Sequence, residues 1–252
     1  MTLALHSITA RYGDITAVDS IEATASAGRI TVVVGPNAAG KSTLLRCAAG
    51  LQPCDGEITI DGEPVLDIPI VDRARRVAFM TQRPRSDVPL TVEEMMRLAR
   101  PVRRQQTAVL DSLLESLEVE DLRHRLVPAL SIGQQQRVVL ARTLYQVEAQ
   151  GGLFVFDEPT APMDPRHAQL ALSHLRGVAD GGGIVVLSIH DIGLARSIGD
   201  DAWLLDRGRL LASGPVEQVL VPERLEGTFG IPYEELQSER GGIWLAPATS
   251  RV

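Results

Sequence analysis

The chain has 252 residues, of which 44% are hydrophobic, and a formal net charge of -7. This length suits one large α/β domain, or one domain with a smaller insert. The acidic balance argues against non-specific binding of nucleic acid, and every apolar run is far shorter than the roughly 20 residues that cross a bilayer.

The cysteine content and the first residues indicate a compartment. Cys47 and Cys54 have no metal-binding spacing around them, so free thiols in a reducing cytoplasm are expected. The first six residues contain no basic segment followed by an apolar run, which predicts no secretory signal.

The N-terminal part of the chain alternates between strand and helix patterns. Leu3–Thr9 and Ile15–Ala25 are predicted as antiparallel strands because apolar and polar residues partly alternate. The β-branched run Ile30–Val34 predicts a buried strand that ends at a glycine. Ser42–Leu51 has helical spacing, and Glu57–Ile60 predicts a strand that leads into a turn.

The middle and last parts separate into a helical stretch and a return to strands. After a short strand at Val77–Thr81, residues 91–147 follow a helical pattern. Strands are predicted at Leu153–Asp157 and Ile184–Ile189, a hairpin over 202–213, and a less regular tail from 214 to 252. We expect a catalytic core (1–82 and 148–214), a helical subdomain (83–147) and a C-terminal extension (215–252).

Residues 35–42 fit the pattern G-x-x-x-x-G-K-S, which is typical of a phosphate-binding loop. Backbone N–H groups of a tight glycine-bearing turn wrap an anion, and the next helix points its positive end at the same phosphates. A chance match is set aside because the flanking strand and helix are those the loop needs. The loop residues are Gly35, Pro36, Asn37, Ala38, Ala39, Gly40, Lys41 and Ser42.

Two carboxylates follow a predicted buried strand. Asp157 and Glu158 would reach the C-terminal edge of the sheet, where ligands bind in α/β folds. Asp157 can hold Mg²⁺ there, and Glu158 can polarise an attacking water. Because acidic residues often end strands, this pair alone is weak evidence for a nucleotide site. It becomes strong evidence together with the phosphate loop.

The segment from Leu130 to Arg137 reads LSIGQQQR and precedes a helical run. Ser131 is a plausible N-cap, and Gly133 allows close backbone approach. Taken alone, the segment is more often an ordinary capped helix.

Together these motifs resemble the ATP-binding subunit of an ABC transporter across essentially the whole chain. The phosphate loop, Gln82, the LSIGQ signature, the Asp157-Glu158 pair, Asp164 and His190 occur in the order and spacing of that family. The resemblance implies an α/β P-loop NTPase fold with a mostly parallel central sheet, an N-terminal antiparallel β region and a helical insert. It also implies an ATPase that uses ATP and Mg²⁺.

The resemblance implies a role for each matching residue. Glu158 resembles the catalytic base, with Gln82 and His190 beside it at the γ-phosphate. Ser42, Gln82 and Asp157 resemble the groups around the metal ion. The residues expected to bind nucleotide are Tyr12 and Val18 at adenine, Gly35 to Thr43 (Gly35, Pro36, Asn37, Ala38, Ala39, Gly40, Lys41, Ser42, Thr43), and Ser131, Gly133 and Gln134 from a second copy. Asp164, which is counted with this set, resembles the residue that communicates across the dimer.

The chain departs from the family pattern at three positions. Ile132 stands where the signature usually has glycine, so it either obstructs close approach of a phosphate or points away. Pro162 stiffens the segment before Asp164 and removes one N–H. Ala38 replaces a frequent glycine, although Gly35 and Gly40 remain.

The family pattern also implies partners. An ATPase of this kind works as a dimer, at the cytoplasmic face of the inner membrane, on transmembrane permease subunits that dock near Gln82. The tail, including Ile243–Pro247, resembles ATPases of iron-siderophore, haem and cobalamin importers, which usually add an extracytoplasmic substrate-binding protein. Two arginine clusters, Arg73 to Arg85 and Arg97 to Arg104, are either a solvated face or a patch toward the permease or lipid headgroups.

Two other classes stay open at this point. An ABC ATPase without transport, above all one in iron–sulfur cluster assembly, has a similar length. A phosphate-loop kinase is also conceivable, but it leaves the signature, Gln82 and His190 without a purpose.

Overall fold

The computed structural model describes residues 1–82, 88–99, 107–237 and 243–248. The sequence-predicted Arg83, Arg85, Arg100, Arg103 and Arg104 lie outside these ranges. The first half contains β1 (Thr2–Tyr12), β2 (Ile15–Ser26), β3 (Ile30–Val34), α1 (Lys41–Ala48), β4 (Asp55–Ile60), β5 (Glu63–Pro64), α2 (Ile70–Arg76), β6 (Val77–Met80), α3 (Val92–Ala99) and α4 (Thr107–Ser116).

The second half begins with two 3₁₀ turns, Glu120–Leu122 and Val127–Ala129. It continues with α5 (Ile132–Gln146), β7 (Leu153–Asp157), α6 (Pro165–Asp180), β8 (Ile184–Ser188), α7 (Ile192–Ile198), β9 (Asp201–Asp206), β10 (Arg209–Pro215), α8 (Val216–Val219), α9 (Pro222–Phe229), β11 (Tyr233–Gln237) and β12 (Ile243–Pro247).

A six-stranded sheet forms the centre, in the order β10-β9-β3-β8-β7-β6. All neighbouring pairs are parallel except β9 with β10, which form the predicted hairpin. A second, antiparallel sheet has the order β2-β1-β4-β5. The predicted fold class, with its mostly parallel sheet and antiparallel N-terminal region, is confirmed.

The central strands are buried on both faces, which explains their unbroken apolar sequences. In β7, Phe154 and Phe156 face one hydrophobic cluster that includes α3 to α6, whereas Leu153 and Val155 face a second cluster with α1 and the antiparallel sheet. This period of two places the site at the carboxyl ends of strands held rigidly from both sides.

Between β6 and β7 the described residues contain three helices and one isolated bridge, Thr91 with Leu126, but no strand. This agrees with the helical pattern of residues 91–147, whereas the subdomain boundaries themselves stay a prediction. The tail differs from the expectation of an irregular segment, because it forms α8, α9 and the hairpin of β11 and β12. Short elements of this kind carry little periodicity and depend on tertiary packing.

Candidate nucleotide site

The loop between β3 and α1 is closed by its own lysine. Lys41 Nζ donates to the carbonyl oxygens of Gly35 at 2.6 Å and Pro36 at 2.9 Å, and only 6% of Lys41 is exposed. Burial lowers the pKa of Lys41, while the charges of Glu158 and Asp157 act in the opposite direction. The ammonium group thus lies inside the loop with two carboxylates nearby, ready to receive phosphate oxygens.

The two glycines of the loop are required because backbone carbonyl groups of other segments lie too close to them for a side chain to fit. A Cβ at Gly35 would lie 2.2 Å from the carbonyl oxygen of Leu205, and one at Gly40 would lie 2.4 Å from that of Ala17. Gly40 also has φ +97° as the residue that precedes α1. Ala38, at φ +62°, takes the left-handed conformation that favours the glycine frequent at this position.

The two carboxylates at the end of β7 are anchored by a serine that sequence reasoning missed. Ser188 Oγ donates to Asp157 Oδ1 at 2.8 Å and accepts from the backbone N–H of Glu158 at 2.9 Å. Asp157 is 1% exposed and Glu158 8% exposed. The sequence contained one signal for Ser188, which is the only polar residue of the apolar strand β8 and stands at its end. Because β7 and β8 are parallel neighbours, their last residues lie at the same edge of the sheet.

The carboxylate of Glu158 contacts the other two predicted catalytic residues. Gln82 Nε2 donates to Glu158 Oε2 at 2.6 Å, and His190 Nε2 contacts Oε1 of the same carboxylate. These three side chains follow β6, β7 and β8, which are neighbours in the sheet. The backbone of Glu158 has φ +53°, an unusual conformation for a residue with a side chain and one that clusters at functional sites.

A pocket of about 650 Å³ opens between the loop and these three side chains. That volume lies in the range of small-molecule sites. The predicted residues Gly35, Pro36 and Asp157 are not among those that line the pocket. The wall comprises 15–17, 37–43, Gln82, Glu158, His190, Arg207 and Gly208.

The two residues predicted at adenine, Tyr12 and Val18, are not among the residues that line this pocket. Val18 is fully buried next to the loop, and its Cγ2 would lie 3.3 Å from a Cβ placed on Gly40. Tyr12 is 45% exposed outside the pocket wall, and its hydroxyl donates to Gln52 Oε1 at 3.2 Å. Ile15, a neighbour that the sequence reasoning did not select, is 71% exposed on the wall.

The residues present fit a magnesium ion. Ser42 and Gln82 line the pocket, and Asp157 is a buried carboxylate directly before Glu158, which also lines it. The described residues contain no group of three His, Cys, Asp or Glu side chains that would form a protein-only metal cage. Mg²⁺ prefers one or two protein oxygens together with water and substrate phosphates, which matches such a sparse donor set.

The signature residues lie away from this pocket in the same chain. Ser131 and Gln134 form a capping box at the start of α5, with bonds of 3.0 and 3.3 Å. Ile132 is 70% exposed, so its side chain points into solvent. Asp164 caps α6 through the His167 N–H at 3.0 Å. Ser131, Gly133, Gln134 and Asp164 are all absent from the pocket wall.

Gln136 is a second residue that sequence reasoning missed. Its side chain is fully buried, and Nε2 donates to the carbonyl oxygens of Glu158 and Pro159, each at 3.4 Å. It therefore joins the signature helix to the segment that carries Glu158. The sequence contained one signal for Gln136, which precedes Val139 and Leu140 by three and four residues. This spacing places its polar amide on the apolar, core-facing side of the helix.

Comparison with known proteins shows the family of the chain. The family described as ABC transporter matches residues 18–161. A hemin import ATP-binding protein of Rhodopseudomonas palustris is 35% identical over 223 residues, covering 86% of this chain and 83% of that protein. A hemin import ATP-binding protein of Streptomyces coelicolor is 35% identical over 236 residues, covering 90% of this chain and 83% of that protein.

Solved structures have the same fold. An inward-facing putative metal-chelate type ABC transporter superposes with a TM-score of 0.80 at 21% identity, covering 98% of each chain. An ATP binding subunit of an ABC transporter gives 0.78 at 24% identity, covering 91% of this chain and 94% of that one. At these identities the likeness concerns the fold.

The chain therefore belongs to the ABC transporter family, and within it to the ATP-binding subunits. It is an ATPase, as the phosphate loop and the carboxylates beside it predicted. Among the described residues, no helix combines the length and the apolar composition that crossing a membrane requires.

Proposed function

We propose that this chain hydrolyses ATP with Glu158 as the base that polarises the attacking water. The observation that carries the proposal is the convergence of Gln82 and His190 on the Glu158 carboxylate, at the mouth of the pocket that the phosphate loop lines. Lys41 and His190 would stabilise charge on the γ-phosphate, and Gln82 would orient the water. Mg²⁺ near Ser42, Gln82 and Asp157 would neutralise the phosphate oxygens.

Glu158→Gln tests this assignment, because the amide keeps the shape of the side chain but accepts no proton. We expect kcat to fall by about 100-fold or more with ATP affinity retained. Glu57→Gln, an exposed residue of β4, is the matched control and should leave kcat unchanged. Retention of kcat within threefold in Glu158→Gln would refute the assignment.

Two copies would close on each ATP. The support is geometric, since Ser131, Gly133 and Gln134 lie outside the pocket of their own chain and expose a capped helix start. A signature from a second copy could meet the γ-phosphate there with its backbone N–H groups and helix dipole. Ile132, being exposed, would lie at this interface.

Size measurement of Glu158→Gln at saturating ATP tests the sandwich. We expect a dimer with ATP and a monomer without it. Adding Ser131→Arg should keep the protein monomeric, whereas adding Ser173→Arg, on an exposed face of α6, should leave the dimer intact. A Glu158→Gln protein that stays monomeric with ATP argues against the two-copy site.

A permease subunit would dock beside α2. Apolar side chains are exposed there: Leu66 (66%), Ile70 (73%) and Val71 (48%), and Leu98 of α3 is 58% exposed. In the described part, Arg75, Arg76 and Arg97 pair with surface carboxylates, so they act as a solvated face.

Ile70→Glu should abolish co-purification with the permease, and Leu211→Glu, on exposed β10, should not. Equal recovery of the permease with both variants would refute the docking site.

The cargo is proposed from the relatives. Because proteins named hemin import ATP-binding protein align over most of the chain, we infer import of haem, with other iron chelates or cobalamin as alternatives, from a substrate-binding protein outside the membrane. The subunit would then work at the cytoplasmic face of the inner membrane. Cells lacking the gene should lose growth on hemin as sole iron source and regain it with the wild-type gene but not with Glu158→Gln.

A role in iron–sulfur cluster assembly is the alternative, and it predicts a different outcome. Growth on hemin would then be unaffected by deletion of the gene, while activities of iron–sulfur enzymes would fall.

A further inference from the structure

The C-terminal hairpin of β11 and β12 packs against α7, the helix that follows His190. Trp244 of β12 covers Gly193, since a Cβ at that glycine would lie 2.2 Å from Cε2 and 2.4 Å from Nε1 of the indole. Leu245 beside it is 1% exposed and belongs to the main hydrophobic cluster. Glycine at 193 is therefore what allows the indole to lie directly on the helix.

The first turn of α7 is held by its capping residue, Asp191. Asp191 accepts from the Leu194 N–H at 2.9 Å, which holds the first turn of the helix. Burial, and to a smaller extent the charge of Asp191, raise the pKa of the Tyr233 phenol on β11. The ring of Tyr233 packs on Phe229, with centroids 6.0 Å apart, so α9 supports it in turn.

The hairpin supports the helix that directly follows His190. The side chain of His190 is 49% exposed, and its Nε2 contacts the carboxylate of Glu158. The backbone of His190 continues directly into Asp191 and α7. The position of its imidazole is thus set by how firmly the first turn of α7 is held.

We propose that the C-terminal hairpin, through Trp244 on Gly193, is a positioning element for His190 and so for the Glu158 site. This rests on the proposed role of His190 at the γ-phosphate. Tyr233, Trp244 and Leu245 are not among the residues that line the pocket. Removing the indole should therefore alter turnover while leaving the phosphate loop free to bind ATP.

The test is steady-state ATP hydrolysis by the purified full-length chain. Trp244→Ala should lower kcat on the order of tenfold with KM for ATP within about twofold, because a small displacement of a catalytic group costs rate rather than binding. Trp244→Phe, which keeps an aromatic ring on Gly193, should recover kcat to within about threefold. Ile243→Ala, at an exposed neighbouring position on the same strand, is the control and should match wild type.

A second pair of variants tests the contact itself. Gly193→Ala should lower kcat because the methyl displaces the indole, but it should add little in a Trp244→Ala background, where the clash is gone. Such non-additivity reports direct coupling. Additive losses, or a Trp244→Ala enzyme with wild-type kcat, would overturn the inference. A wild-type chain that hydrolyses no ATP would instead refute the proposed function.

Discussion

Ser188 links the two site carboxylates, and its removal should be costly. Ser188→Ala deletes one hydroxyl that donates to Asp157 Oδ1 at 2.8 Å and accepts from the Glu158 N–H at 2.9 Å. Ser188 is fully buried, as Asp157 nearly is, so water does not readily replace either bond. The variant leaves a buried N–H without its acceptor and a buried carboxylate with one donor fewer.

The magnitude follows from these two losses. An orphaned buried polar group costs on the order of 1–3 kcal/mol, and a bond to a charged group is worth a similar amount, so we expect the free energy of unfolding to fall by about 3 kcal/mol. Because the displaced groups lie at the site, kcat should also fall.

Urea denaturation followed by circular dichroism measures the stability change, with an unchanged slope as evidence that the same transition is observed. Ser173→Ala is the control, since its hydroxyl bonds only to helix carbonyls on an exposed face, and it should change the unfolding free energy by less than about 0.5 kcal/mol. A Ser188→Ala protein whose stability differs from wild type by no more than the control would refute the reasoning.

Three further predictions use other parts of the molecule. Gly40→Ala forces a methyl to within 2.4 Å of the Ala17 carbonyl and should abolish ATP binding in titration calorimetry, whereas Gly182→Ala, at φ +88° in open space, should only destabilise by about 1–2 kcal/mol. Gln136→Leu should lower kcat about tenfold with little change in melting temperature, because its two bonds are long and its Oε1 has no partner among the described residues. Burial raises the pKa of Cys47 to about 12, so native protein at pH 8 should titrate at most one thiol with Ellman's reagent, and both after denaturation. Normal ATP affinity in Gly40→Ala, wild-type kcat in Gln136→Leu, or two reactive thiols in native protein would each contradict its prediction.

Features that depend on neighbours in the chain were predictable from the sequence. The strand, loop and helix around residues 35–42 form a contiguous unit whose glycines and lysine are dictated by phosphate geometry. The central strands follow from apolar runs that are buried on both faces. The order of motifs identified the family before any contact was known.

Contacts between distant segments were decided only by the tertiary structure. Gln82, Glu158 and His190 meet because β6, β7 and β8 happen to be neighbours in the sheet, and no local pattern specifies strand order. The burial of Val18, which left Ile15 on the pocket wall, depends on how the antiparallel sheet lies over the loop.

The tail illustrates the same division most clearly. Composition over 214–252 indicated an irregular extension, because short strands and helices have too few residues to show a period. Packing then brought Trp244 onto Gly193, a contact between two sites far apart in the chain. Local sequence determined what the phosphate loop is, and long-range packing decided which side chains hold its catalytic neighbours in place.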